Sequence, residues 1–205
     1  MDYKESVQNY IDLEIATLQK LDKDAISLVM NALEDARKRN ATIFIMGNGG
    51  SGSTASHFTN DFNKGLSENL DQPFRFICLN DNVATIMAIA NDICYEAVFE
   101  FQLRGKLTKD DIVIGISGSG NSPNVLNAIR FANNVGATTI GLTGYDGGKL
   151  VDMVDLSLHV PVMSMQIVED IHMVFDHLIM AVFYKKLCNK NHIKDTSCEY
   201  YSGAK

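Results

Sequence analysis

The sequence predicts an α/β protein, a parallel sheet with helices on both faces. Three observations predict it. Short, continuous apolar runs alternate with stretches of helical periodicity, the pattern of parallel strands buried on both sides. Two of those runs end in a Gly/Ser turn that opens a helix: Thr42-Ile43-Phe44-Ile45-Met46 before Asn48-Gly49-Gly50-Ser51, and Val113-Ile114-Gly115-Ile116 before Ser117-Gly118-Ser119-Gly120-Asn121-Ser122. The chain shows no low-complexity segment and no internal repeat beyond the β-α alternation.

In chain order, residues 1–20 place Val7, Tyr10, Ile11, Leu13, Ile15 and Leu18 at helical spacing. Leu21-Asp22 breaks the pattern. A second amphipathic helix follows with Ile26, Leu28, Val29, Ala32, Leu33 and Ala36 as its stripe. It closes on Arg37-Lys38-Arg39, cations suited to a helix C-terminus. Residues 1–40 thus form a helical hairpin able to pack on its own domain or on another subunit. Strand 42–47 then leads to helix 52–63. After Asp71-Gln72-Pro73 comes strand 74–79, then helical stretches 83–90 and 95–103. Strand 111–117 precedes helix 122–135, which Gly136 ends. Strand 138–142 runs into Thr143-Gly144-Tyr145-Asp146-Gly147-Gly148. A short helix 149–153, strand 155–160 and a long helix from Ser164 to Leu187 complete the order. Residues 189–205 read as a polar, loosely ordered tail.

Composition narrows the function. The 205 residues suffice for one domain with a full core. The net charge of −7 and sequence pI near 5.1 argue against broad nucleic-acid or anionic-membrane binding, which needs a basic field. No apolar run is long enough to span a membrane, and the polar start, Met1 to Gln8, is unlike a signal peptide. Cys78, Cys94, Cys188 and Cys198 form no CxxC pair and read as reduced thiols. The expected location is the cytoplasm.

The two turns indicate a phosphorylated ligand. Glycines such as Gly49 and Gly50 let the backbone approach closely, and the free N–H groups of a helix start attract an anion. Neither turn is a GxxxxGK[ST] loop, and neither is a GxGxxG with its acidic partner, so no nucleotide cofactor is expected. The hydroxyls of Ser117, Ser119 and Ser122 suit a phosphate monoester.

The motifs GNGGS, SHF, ISGSGNSPNVLNAI and LTGYDGG resemble the sugar isomerase (SIS) domain, and within it the bacterial phosphoheptose isomerases. The resemblance runs from about residue 40 to 185 and extends in outline to the hairpin. It implies a three-layer αβα sandwich with a five-stranded parallel sheet, one SIS domain over residues 1–188. It also implies a homotetramer with sites at subunit interfaces. The implied reaction interconverts sedoheptulose 7-phosphate and D-glycero-D-manno-heptose 7-phosphate. On that likeness Ser51, Ser117, Ser119 and Ser122 bind phosphate, with Gly118 where a threonine often sits. Asn48 lines the sugar and Asp92 contacts it.

Moving a proton between C1 and C2 through an enediol needs a base, an acid and an ordered open-chain sugar. His57 and Asp61 are i, i+4 on one helix face. Glu169, His172 and His177 share the last helix. The resemblance makes Asp61 the base, in place of a glutamate, and His177 the acid. Glu169 replaces a glutamine at a substrate-contacting position, and Gly65, beside Lys64, stands where an arginine is usual. His172 reads as structural or interfacial. His57, Asp61, Glu169 and His177 also make a plausible divalent-metal set, two imidazoles and two carboxylates. Some phosphoheptose isomerases bind zinc at the matching positions, so one zinc per subunit is an expectation. Two other readings stay open: an isomerase of another sugar phosphate, and a non-catalytic SIS sensor or adaptor.

Overall fold

Alternating side chains along each central strand bury themselves on opposite faces, and this sets the layers. In the computed structural model, which describes residues 2–188, β1 is Ile43–Gly47, β2 Phe76–Cys78, β3 Ile112–Ser117, β4 Thr138–Thr143 and β5 Leu156–His159. They form one parallel sheet in the order β2-β1-β3-β4-β5. On one face Ile43, Ile45, Ile112, Ile114, Ile140 and Leu158 join a core with α2 (Lys23–Lys38), α3 (Gly50–Asn60) and α7 (Met165–Leu187). On the other, Phe44, Met46 and Val113 meet α4 (Val83–Asp92), α5 (Glu100–Leu103) and α6 (Pro123–Val135). The three-layer αβα expectation is met.

The strand order reverses between β1 and β3, and both Gly/Ser turns follow these two strands. A parallel sheet opens a crevice beyond the carboxyl ends of its strands where the order reverses. The two turns are therefore neighbours in space, although about 70 residues apart in sequence.

The N-terminal hairpin divides in two. α2 starts at Asp22, whose carboxylate accepts from the N–H groups of Asp24 and Ala25, and it buries Ile26, Val29, Leu33 and Ala36. α1 (Lys4–Gln19) buries only Thr17, and Val7, Ile11, Leu13 and Ile15 are exposed. A side-chain link to the body is Tyr10, whose hydroxyl donates to the Asp170 carboxylate on α7. That bond pushes the phenol up to about 12.

Three elements differ from the sequence expectation. Residues 149–153 are turns, not a helix. Gly147 and Gly148 have positive φ, and the Leu150 N–H is drawn 3.0 Å to the Gly120 carbonyl instead of into a helical ladder. Residues 95–103 split into a 3₁₀ turn, Tyr95–Ala97, and the short α5. α3 does not simply continue to residue 63: at Asp61 it widens into a π-helical segment, Asp61–Leu66. Such widenings recur at functional sites. Phe62 anchors this one, packed among Phe58, Phe74, Phe76 and Phe183. The expected tail, 189–205, lies outside the described residues. No described helix is long and apolar enough to cross a membrane.

Candidate active site

The first turn leaves β1 at Gly47, where the Asn80 side chain clamps the backbone. It donates to the Gly47 carbonyl at 2.7 Å and accepts from its N–H at 3.2 Å. Asn48 exchanges two 2.9 Å hydrogen bonds with the buried Asn124 of α6 and accepts from the Tyr95 hydroxyl at 2.8 Å. The turn after β1 is thus tied to α6 across the crevice by an amide pair. α3 begins with no side-chain cap, in contrast to Asp22 on α2 and Asn82 on α4, and Ser51 is buried in its first turn. Glu169 leans on this start. A Cβ added at Gly50 would come within 2.7 Å of either Glu169 carboxylate oxygen.

The second turn is locked from behind. The Gly144 N–H donates 2.8 Å to the Gly118 carbonyl, and the Asn121 amide donates 2.8 Å to the Ser119 carbonyl. Gly120, at φ +64°, lies so close to Gly147 that a Cβ would meet the Gly147 carbonyl oxygen at 1.9 Å. Ser117 and Ser122 face each other, Oγ to Oγ at 3.1 Å, and Ser119 is exposed. α6 starts at Pro123 with no side-chain cap. Hydroxyls and unused N–H groups converge here with no carboxylate among the loop's own residues, an arrangement suited to a phosphate dianion.

Downstream on α3 and α7 lies a cluster of imidazoles and carboxylates. His57 Nε2 and His177 Nε2 are 3.1 Å apart. Asp61 Oδ2 is 3.4 Å from His57 Nε2 and 3.9 Å from His177 Nε2. A fourth member, Asp176, brings Oδ2 to 4.0 Å from His57 Nε2. The four ligand atoms all lie within 4.8 Å of one another. The imidazoles are open to solvent, with side chains 42% and 58% exposed, whereas Asp176 is fully buried. Neither of its oxygens has a hydrogen-bond partner. Burial first, and then the Asp61 charge, push its carboxyl up to about 8. A buried, unpartnered carboxylate beside two converging imidazoles is the environment a divalent cation satisfies. Two nitrogens on one tetrahedral zinc, at bonds of about 2.0–2.1 Å, stand roughly 3.3 Å apart, close to the separation here. The donor set fits such a cation.

The structure brings together His57, Asp61 and His177; the fourth of the close ligand atoms comes from Asp176, while Glu169, expected in that set, stands at the first turn. Asp92 is exposed at the end of α4, and its carboxylate accepts from the Asn91 amide. Lys64 pairs with Glu68 at 3.1 Å on the surface. Gly65 is backed by the Met180 methyl, which a Cβ would meet at 2.7 Å. His172 is buried, its Nε2 3.3 Å from the Thr143 carbonyl, in agreement with a structural role. Sequence reasoning missed Asp176, Asn124 and Tyr95. For Asp176 a signal existed: an acidic residue on the apolar stripe of α7, next to His177.

Comparison with known proteins accords with this geometry. A family model described as the SIS domain matches residues 2–144. A phosphoheptose isomerase of Aliarcobacter butzleri is 35% identical over 180 residues, 88% of this chain and 93% of that one. One from Helicobacter pylori (strain P12) is 34% identical, covering 92% and 94%. Among solved structures, the phosphoheptose isomerase of Neisseria gonorrhoeae superposes with a TM-score of 0.82 at 26% identity, over 90% of this chain and 100% of that one. That of Francisella tularensis gives 0.82 at 28%, with the same coverage. The chain belongs to the SIS domain family and, within it, to the phosphoheptose isomerases, which are aldose–ketose isomerases.

Proposed function

We propose that this protein interconverts sedoheptulose 7-phosphate and D-glycero-D-manno-heptose 7-phosphate in the cytoplasm, feeding activated heptose to a surface polysaccharide. The observation that carries the reading is the placement of Asp61 and His177 in one cluster beside two uncapped Gly/Ser turns at the sheet's reversal point. The phosphate sits in the 117–122 turn, held by the hydroxyls of Ser117, Ser119 and Ser122 and by backbone N–H groups of the turn. Ser51 and the backbone of Gly49, Gly50 and Gly118 line the floor. Asn48, fixed by Asn124 and Tyr95, orients the open-chain sugar. Asp61 takes the proton from one of C1 or C2 and returns it to the other, and His177 moves a proton on the sugar oxygens.

His57, Asp61, Asp176 and His177 are the residues that would hold a zinc ion. Bound there, it would supply Lewis-acid polarisation of a substrate oxygen. The assembly is a homotetramer with active sites at subunit interfaces, a reading supported by the unburied apolar residues of α1. Asp61 in place of a glutamate, Glu169 in place of a glutamine and Gly65 in place of an arginine favour a second reading, an isomerase of another sugar phosphate.

Incubating the protein with sedoheptulose 7-phosphate, with added zinc and after chelation, and following the aldose by NMR tests the proposal. Turnover is expected, with a loss of about 10²-fold or more in Asp61→Asn while inorganic phosphate binding is kept. No turnover under any condition with phosphate binding intact would move the assignment to another sugar phosphate or to a sensor.

A further inference from the structure

We propose that Tyr95 is a further sugar-binding residue, its phenol oxygen accepting a hydrogen bond from a hydroxyl of the open-chain sugar. This rests on the reading above for the identity of the sugar. It deepens that reading by adding a contact from the layer that holds α4 and α6.

One backbone group fixes the polarity of the whole network around Asn48. The Val125 N–H can only donate, and it lies 2.9 Å from a side-chain atom of Asn124, which is therefore the amide oxygen. That oxygen also accepts from the Asn48 amide nitrogen, so the Asn48 oxygen faces the Asn124 amide nitrogen, each contact 2.9 Å long. The Asn48 oxygen also lies 2.8 Å from Tyr95 Oη. Between a carbonyl oxygen and a phenol, only the phenol has a proton to give. The Asn48 oxygen thus accepts two hydrogen bonds and is filled. Its amide keeps a second N–H for the crevice. The Tyr95 oxygen has spent its proton on Asn48 and presents its lone pairs.

The place of Tyr95 is set by this bond more than by packing. It is 52% exposed, at the start of the 3₁₀ turn Tyr95–Ala97, so apolar burial does little to hold it. The segment behind it is fixed. Val98 and Phe99 are buried, and the Asn127 amide of α6 donates 3.2 Å to the Glu96 carbonyl. The result is a phenol on a firm base, open to solvent, with its oxygen bonded to the first Gly/Ser turn. The groups nearest to it have the opposite polarity. The uncapped N–H groups at the start of α3 and the second N–H of Asn48 all donate. Each hydroxyl of a sugar chain donates as well as accepts. A donor left without an acceptor on entering the crevice costs free energy. The Tyr95 oxygen is an uncharged acceptor at that point.

Tyr95→Phe removes this one oxygen and tests the contact. The variant should fold as wild type does and bind inorganic phosphate equally well, because the 117–122 turn is untouched. Its KM for sedoheptulose 7-phosphate should rise about threefold to tenfold, the worth of one uncharged hydrogen bond. Its kcat should stay within about twofold, since the bond is made in ground and transition states alike. Monodeoxy analogues of the substrate, altered at C3 to C6, then separate contact from positioning. The penalty of the phenylalanine should vanish on the analogue that lacks the hydroxyl Tyr95 touches. A penalty of equal size on every analogue would mean that Tyr95 acts only through Asn48, and would overturn the contact. So would an unchanged KM, or a parallel loss of phosphate binding. In each of those cases wild type still turns over the sugar and the isomerase reading stands. A wild type without turnover removes that reading and the contact with it.

Discussion

His172 stands between Glu169 and Asp176 on α7, yet its surroundings differ from both. It is 1% exposed and its Nδ1 has no partner. Its Nε2 donates to the Thr143 carbonyl at 3.3 Å, which fixes the neutral tautomer. Burial lowers its pKa from 6.5 to about 4. Between these values the unfolded chain holds a proton that the fold refuses. Stability is therefore full above about pH 6.5 and falls as pH drops toward 4, by about 1.4 kcal/mol per unit from this group. Urea titrations of wild type and His172→Gln at pH 7 and pH 4.5 should show a flatter acid loss in the variant, by roughly 3 kcal/mol over the window. Equal losses would mean that His172 is not the proton acceptor. The sequence marked His172 as structural or interfacial, and it falls off the line of Glu169 and His177. Asp176 carried a signal that was easy to pass over: its helix phase is that of the core, and the packed structure shows that the core opens there onto two imidazoles.

At the level of elements, the strands were readable because parallel strands buried on both faces are apolar throughout. Ile112 to Ile116 carries no polar residue to blur it. What local sequence could not show is how loops grip one another. The 117–122 turn owes its shape to the 143–148 turn, through Gly120 against Gly147 and Gly148 against the Ser119 carbonyl. That grip also consumes the Leu150 N–H, which is why the expected helix at 149–153 does not form. Gly120→Ala should therefore do more than strain one residue at φ +64°. The two turns must part, since a methyl cannot sit 1.9 Å from a carbonyl oxygen. We expect a destabilisation of about 1–3 kcal/mol and loss of inorganic phosphate binding. A denaturation curve and a phosphate titration on the same sample check it. Unchanged phosphate affinity would place the anion elsewhere.

For the whole molecule, the open question is what α1 does. A 16-residue helix that fully buries one side chain in its own chain is poorly supported, because most helical stability in proteins comes from packing an amphipathic face. Yet Val7, Ile11 and Ile15 recur at i, i+4 on it, and these three side chains are 43–55% exposed. Such a stripe is normal on a helix that packs against something, and the sequence reading allowed for another subunit. Closed, symmetric assembly of identical chains is the common way to cover such a face. Tyr10 strengthens the argument, since its bond to Asp170 ties α1 to the residue next to Glu169. If the proposed homotetramer uses this stripe, placing glutamates at both Val7 and Ile11 should shift the protein in sedimentation velocity to smaller species. Because α2 supplies the core and α1 does not, the dissociated chain should keep its β-sheet and helix signature by circular dichroism. If the sites lie at interfaces, turnover should fall with the assembly and not with the fold. A wild type that sediments as a monomer while fully active would remove subunit contacts from the mechanism and leave α1 to another partner.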